Sequence, residues 1–420
     1  MLPVAQAEQI ILDLIRPFEL ESDRQQILLT EAAGRILAET TRSSLDFPHW
    51  HNSAMDGYAV RYQDVKSCSK EQPVILKVVE HLPAGKIAQI PIQANQAARI
   101  FTGAMLPPGA DTIIMQEDID LQADQVSIFA APAPQQFVRH QGDFYQAGQL
   151  LLKGGTLIGA AEIAILAAAQ CSKVSVFRRP RVAVFSTGDE LITIDQTLAP
   201  GQIVDSNQYA LSAFAINCGA TVINLGIVKD SKEDLYRTIA QALESADVII
   251  SSGGVSVGDY DLVEQVLTEL DGDIHIRSVA IKPGKPLTFA TFNLENNPEN
   301  NQPVFYFGLP GNPVSALVSC WRFVNSALQK LSGLASAQIG TNIIRCKTNT
   351  DLEAAGKRET YIWGNLEIID GSFEFTAAKG LQISGNLIGL ATINALAIAP
   401  LGEKLIPKDS LVEVLLINRI

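Results

Sequence analysis

Asp247-Val248-Ile249-Ile250-Ser251-Ser252-Gly253-Gly254-Val255-Ser256-Val257-Gly258-Asp259-Tyr260-Asp261 decides how this chain reads. The apolar run Asp247–Ile250 reads as a buried strand. Leu262 to Leu267, just beyond the turn, has helical spacing. The order is therefore strand, glycine-rich turn, helix. Glycines at 253, 254 and 258 let backbone approach a ligand, because no Cβ intervenes. Amides of such a turn, and the helix N-terminus behind it, attract anions. The same turn carries Asp259 and Asp261. Amides for an oxyanion beside carboxylates for a cation point to a metal-bridged phosphate.

Working outward, strand and helix signals alternate around this turn. Val182–Phe185 and Val222–Val228 read as strands. Ser206–Cys218, stopped by Gly219, and Ser231–Ser245, opened by a Ser-x-x-Asp cap, read as helices. Strands follow at Ile276–Ile281, Leu287–Phe292 and Val304–Phe307, then a helix from Pro313 to Leu331 with proline in its first turn. This alternation predicts an open, mostly parallel sheet. The flanks differ. Gln6–Arg16 is an amphipathic helix stopped by Pro17. Thr30–Leu37 reads as a helical turn stopped by Gly34 and then an extended segment. Residues 73–141 read as a mostly β module, Gly148–Gly155 as loop, and Ala160–Ala169 as a buried apolar helix. After a break near 332–340, strands at Arg358–Trp363, Leu366–Ile369, Phe373–Phe375 and Leu411–Ile417 predict a small barrel or sandwich. The polar stretch 294–302 reads as a surface loop.

The 420 residues exceed one ordinary core, so several domains are expected. A net charge of −13 argues against nucleic-acid and anionic-membrane partners, and makes any local cluster of cations informative. No run of 18 or more apolar residues occurs, and no signal peptide is recognised. Five dispersed cysteines without a C-x-x-C pair fit a reducing, cytoplasmic setting and give no zinc signature. His49 and His51, two apart around Trp50, lack metal-site spacing.

In open parallel sheets, ligands sit beyond the carboxyl ends of the strands. Those ends carry Thr187-Gly188-Asp189-Glu190, then Asp230, the opening turn, Lys282-Pro283-Gly284-Lys285-Pro286, and Pro310-Gly311-Asn312-Pro313. Acidic side chains at three ends suit a hard cation such as Mg²⁺. Lys282 and Lys285 can meet one anion. Each loop alone reads equally well as a turn, which any strand end needs. Five loops with both charge signs converge on a metal-chelated phosphate or pyrophosphate. The pattern is neither a Walker loop nor a dinucleotide fingerprint.

Ordered motifs along nearly the whole chain resemble the molybdopterin molybdenumtransferases (the MoeA family, which includes the gephyrin E domain). They are Asn52-Ser53-Ala54-Met55-Asp56-Gly57-Tyr58-Ala59, Thr102-Gly103-Ala104, Ser186-Thr187-Gly188-Asp189-Glu190-Leu191, Ser252–Gly258, Lys282–Pro286 and Leu309–Ser315. The resemblance implies a multidomain α/β plus β protein. Its expected parts are an elongated linking domain (20–48 and 142–177), a β-rich second domain (49–141), a MoaB/MogA-like molybdopterin-binding domain with an open, mostly parallel sheet (1–19 and 178–331), and a C-terminal β-barrel (338–420). It implies a cytoplasmic homodimer whose site is shared between subunits, and a Mg²⁺-dependent transferase. That enzyme inserts molybdate into adenylylated molybdopterin and releases AMP, working beside a molybdopterin adenylyltransferase and molybdoenzyme acceptors. By the same resemblance Glu190, Asp230, Asp259 and Asp261 serve the metal. Lys282, Lys285, Thr102 and His51 join Glu190, Asp230 and Asp261 in the chemistry. Ser186, Thr187, Gly188, Ser252, Gly253, Gly254, Ser256, Gly258, Pro310, Gly311, Asn312, Pro313, Arg358 and Ser384 hold the pterin compound. No nucleophilic Ser or Cys is required.

One position departs from the pattern: His51 stands where the bacterial family carries Asp before Asn-Ser-Ala-Met-Asp-Gly. Activity is expected to survive with altered pH or metal dependence, because an imidazole can itself contact an oxyanion. The rival readings are a non-catalytic molybdopterin-binding or scaffolding paralogue, and a pyrophosphatase or adenylyltransferase on the same α/β unit.

Overall fold

The structure is a computed structural model that describes residues 1–254, 262–293, 302–340 and 342–417. Of the opening stretch, Val255 to Asp261 lies outside the described residues, and with it the site candidates Ser256, Gly258, Asp259 and Asp261. So does 294–301 of the polar stretch.

Helix α1 (Val4–Leu14) opens the chain. An elongated region follows in which Arg24–Leu28 pairs antiparallel with Lys173–Phe177, and Thr41–Arg42 with Leu150–Leu152. The stretch read as loop at Gly148–Gly155 thus contains a short strand. Ala32, Leu37, Leu152, Ile158, Leu166, Val174 and Val176 form the apolar cluster of this region. Helix α2 (Ala160–Ala168) corrects an expectation. It is apolar, yet Leu166 is its one buried residue, because a single edge meets that cluster.

Between these segments a six-stranded sheet is built in the order Thr112–Met115, Gly57–Val60, Gln96–Ile100, Val74–Leu82, Gln125–Ile128 and Ile119–Gln122. It carries an apolar cluster on each face.

The α/β unit uses β1 (Arg181–Thr187), α3 (Asn207–Asn217), β2 (Thr221–Val228), α4 (Lys232–Ser245), β3 (Val248–Ser252), α5 (Leu262–Glu269), β4 (Asp273–Ser278), β5 (Pro286–Phe292), β6 (Val304–Leu309) and α6 (Pro313–Ser319). A π-helical turn at Cys320–Val324 joins α6 to α7 (Asn325–Leu331), where one continuous helix was expected. The sheet order is β2-β1-β3-β6-β5-β4. Strands β2, β1, β3 and β6 are parallel, and β5 is antiparallel to both neighbours. The apolar runs are continuous because both faces are covered. Val182, Val184, Val248, Ile250, Phe305 and Phe307 face α1, α3, α6 and α7. Ala183, Phe185, Ile249, Val304 and Tyr306 face α4 and α5. Ser231 caps α4 by accepting from the Asp234 amide at 3.2 Å.

The expected strand Ile276–Ile281 is split. Its end, Ile281–Lys282, leaves the sheet and pairs with the C-terminal region. There β7 (Ile343–Thr348), β8 (Glu359–Ile369), β9 (Ser372–Ala377), β10 (Ala395–Ala399) and β11 (Leu411–Leu416) run in the order β8-β9-β7-β11-β10. Pairing of β8 with β10 closes a five-stranded barrel. The two runs read at Arg358–Trp363 and Leu366–Ile369 are one strand, and Phe375, Ile362, Ala397 and Val414 help fill the barrel.

Candidate active site

Because β4 returns through β5, its carboxyl end points the same way as those of β1, β2, β3 and β6. All five ends open on one cleft of about 1170 Å³ between the sheet and the barrel. Thr187, Glu190, Asp230, Ser252, Gly253, Gly254, Lys282, Lys285, Pro310, Gly311, Asn312 and Pro313 line it from the sheet side. Arg358 and Ser384 line it from the barrel side.

Local sequence explains the close packing of the loops. Gly253 sits at φ +90°, and a Cβ there would stand 2.3 Å from the Thr187 carbonyl oxygen. Its amide donates to the Leu309 carbonyl at 3.1 Å. A side chain would drive this turn away from the first loop at Thr187, so glycine is required. Gly284, at φ +105°, lets the lysine loop lie against α6, where a Cβ would meet Ser319 Oγ at 3.0 Å.

The charges divide by sign. The Asp230 carboxylate accepts from the Thr187 hydroxyl, and Glu190 folds back toward Gly188. Lys282 and Lys285 have no carboxylate partner among the described residues. Arg358 donates to the Ile281 carbonyl at 3.2 Å, which fastens the lysine loop to the barrel. Uncompensated cations facing carboxylates in one cleft suit a ligand that brings both an anion and a cation. Among the described residues no group of three or more His, Cys, Asp and Glu gathers. Two protein carboxylates fit Mg²⁺, which takes one or two and completes its shell with phosphate oxygens and water.

Two expected contacts are not made directly. Ser186 is fully buried beneath the cleft, where its hydroxyl donates to Asp205 Oδ1 at 3.0 Å and meets Ser252 Oγ at 3.0 Å. Gly188 does not line the cleft. Both act as support for the residues that do. Thr102 and His51 lie on the β-rich sheet's surface and do not line the cleft of their own chain. The Thr102 amide and hydroxyl both donate to Asp56 Oδ1 at 2.8 Å, and these bonds hold the Asp56 carboxyl below its ordinary value. The Gly103 amide donates to the Ser53 carbonyl, which joins the two motifs into one surface. His51 Nδ1 accepts from the Gln141 amide at 3.1 Å and lies 3.3 Å from His140 Nδ1. That places the His51 proton on Nε2.

Sequence reasoning missed Asp205. It is 2% exposed, lines the cleft, and its Oδ2 has no hydrogen-bond partner, while Oδ1 accepts from Ser186 and the Gln208 amide. Its signal was the acid directly before the Ser206-Asn207 helix start. Asn207 was missed too. Its amide donates to the Gly311 carbonyl at 2.8 Å. Tyr361, Trp363 and Gln382 complete the barrel wall.

Comparison with known proteins agrees with this architecture. Residues 2–169 match the MoeA N-terminal region (domains I and II), and residues 183–330 match the "probable molybdopterin binding domain". Fold and cleft thus define a molybdopterin-binding multidomain protein. The chain is 53% identical over 411 residues to the molybdopterin molybdenumtransferase of a Nostoc species, covering 97% of this chain and 93% of that one. The Haemophilus influenzae protein of the same name is 37% identical, covering 79% and 78%. The crystal structure of the molybdopterin biosynthesis MoeA protein from Pyrococcus horikoshii superimposes with a TM-score of 0.82 at 25% identity, over 99% of this chain and 100% of that one. This chain belongs to the molybdopterin molybdenumtransferase family, a family of transferases in molybdenum cofactor biosynthesis. The comparisons lend no support to a non-catalytic paralogue.

Proposed function

We propose that this protein inserts molybdate into adenylylated molybdopterin with Mg²⁺-dependent release of AMP. The observation that carries the reading is the strand-end cleft, with Glu190 and Asp230 facing Lys282, Lys285 and Arg358. Glu190 and Asp230 would hold the cation; when bound, Mg²⁺ neutralises charge on a phosphoanhydride as it is cleaved. Lys282 and Lys285 hold molybdate and phosphate oxygens as point charges, so the anion waits beside its acceptor. Arg358 and Ser384 close the barrel wall over the pterin compound. The Ser252–Gly254 and Pro310–Pro313 backbones approach it closely.

The same reading makes the protein a cytoplasmic homodimer. The motifs around Thr102 and His51 form an exposed surface that does not reach their own chain's cleft, which supports their serving a partner's. The substrate must come from an enzyme that adenylylates molybdopterin, and the product must pass to molybdoenzymes. Among the described residues no helix is long and apolar enough to cross a membrane.

The test supplies purified protein with adenylylated molybdopterin, molybdate and Mg²⁺, and follows AMP release and molybdenum incorporation together. Both are expected, with a loss of about 100-fold in Lys282→Ala. Tight binding of the pterin compound without AMP release would establish a scaffold instead. ATP consumption with molybdopterin alone would establish an adenylyltransferase.

A further inference from the structure

A second cavity, of about 550 Å³, lies at the far end of two helical segments that begin at the cleft. Helix α3 starts with Asn207 in the cleft, and its later residues Phe214 and Asn217 line this cavity. Helix α6 starts with Pro313 in the cleft, and the π-helical turn after it brings Trp321 to the cavity. The linking region supplies the opposite wall with Arg35 and Phe177, and Arg179 follows where the chain enters the α/β unit.

Its charge is unlike that of the molecule. The chain carries −13, yet this lining includes Arg35, Arg178 and Arg179 and, among the described residues, no Asp or Glu. Arg178 is neutralised by Asp23 at 2.7 Å and Asp247 at 2.6 Å. Arg35 and Arg179 have no carboxylate partner among the described residues. Arg35 is 8% exposed and donates to neutral oxygens, the Phe177 carbonyl at 2.8 Å and the Gln25 amide once that amide is turned. Arg179 donates to the Gly219 carbonyl at 3.0 Å. Burial, and then the Arg179 charge, hold Arg35 below its ordinary value. The buried Arg35 guanidinium, with a second cation lining the same cavity and no carboxylate partner among the described residues, favours an anion there. Guanidinium donors match carboxylate and phosphate oxygens in pairs, and the volume falls in the range of small-molecule sites.

We infer that this cavity binds a small organic anion, a carboxylate or phosphate carried on a flat apolar body. Arg35 and Arg179 take the anionic group. Phe177, Phe214 and Trp321 take the body. The site is separate from the cleft, and the inference does not rest on the proposed reaction.

The three tryptophans make it testable in the full chain. Trp321 lines this cavity, Trp363 lines the cleft, and Trp50 lies in neither lining. Protein labelled with 5-fluorotryptophan, its signals assigned by Trp→Phe variants, is titrated by ¹⁹F NMR with AMP, with 1-naphthoate and with uncharged adenosine. A saturable shift of the Trp321 signal is expected with at least one anion and not with adenosine. AMP against naphthoate separates phosphate from carboxylate recognition. Arg179 is exposed, so Arg179→Gln should fold, and it should weaken the Trp321 response about tenfold. Arg35→Gln, its fold checked by thermal melting, should do the same. Failure of both anions to move Trp321, an equal response to adenosine, or unchanged affinity in both variants would overturn the inference.

Discussion

Asp205 shows how much a single atom can decide. Its Oδ1 is engaged twice by the fold, and its Oδ2 is left without a partner at the cleft. Asp205→Asn can keep the first set of bonds through its carbonyl oxygen and replaces the second oxygen with a donor. Molybdenum incorporation is expected to fall about tenfold while the melting temperature stays within a few degrees. A large melting shift would make Asp205 a purely structural acid. His51 is a subtler case. Its Nδ1 is occupied by the Gln141 amide, so Nε2–H is the group left to meet an oxyanion. The sequence places an imidazole at position 51 but does not set its orientation, since Gln141 is far away in sequence.

At the scale of elements, two ionic clusters lock the α/β unit. Arg322 leaves the π-helical turn to pair with Glu8 of α1 at 2.5 Å and with the Tyr361 hydroxyl of β8 at 2.9 Å. Burial acts to lower the Arg322 pKa, but Glu8 and Tyr361 outweigh it and the value is raised. Arg322→Met leaves Glu8 without its cation, and urea unfolding should show a loss of about 3 kcal/mol. Asp247, at the end of β3 away from the cleft, receives Arg178 and Arg181. Burial acts to raise the Asp247 pKa, but the arginines overcome it and hold the carboxyl below its ordinary value. Its contribution is therefore complete above the unfolded value, near pH 4, and lost as pH falls through the lower folded value. Asp247→Asn should be less stable at pH 7 by about 3 kcal/mol and show a shallower further loss below pH 4 than the parent chain. Parallel acid limbs in the two proteins would refute this account.

For the whole molecule, the consequential geometry is a cleft walled by two units of the chain and motifs on a third that face elsewhere. If Thr102 and His51 serve a partner's cleft, two inactive variants can rescue each other. Thr102→Ala and Lys282→Ala, each nearly inactive, should recover up to about a quarter of parental activity when unfolded and refolded together, because about half of the dimers are then mixed and each mixed dimer contains one intact site of its two. Activity that stays at the level of the separate variants would place each site within one chain.

The strand–turn–helix order, the cleft loops and most candidate side chains were legible in the sequence, because local chemistry specifies them. Apolar runs demand a buried sheet, Gly253 occurs where no Cβ fits, and Gly284 occurs at a positive φ that other residues rarely adopt. Tertiary structure decided what depends on distant segments meeting. The barrel supplies a wall of the cleft because Ile281–Lys282 pairs with β8. Helix α2 stays half open because only one edge meets the linking region's core. Ser186 bonds to Asp205, and Arg35 and Arg179 come to line one cavity, across chain separations that no periodicity encodes.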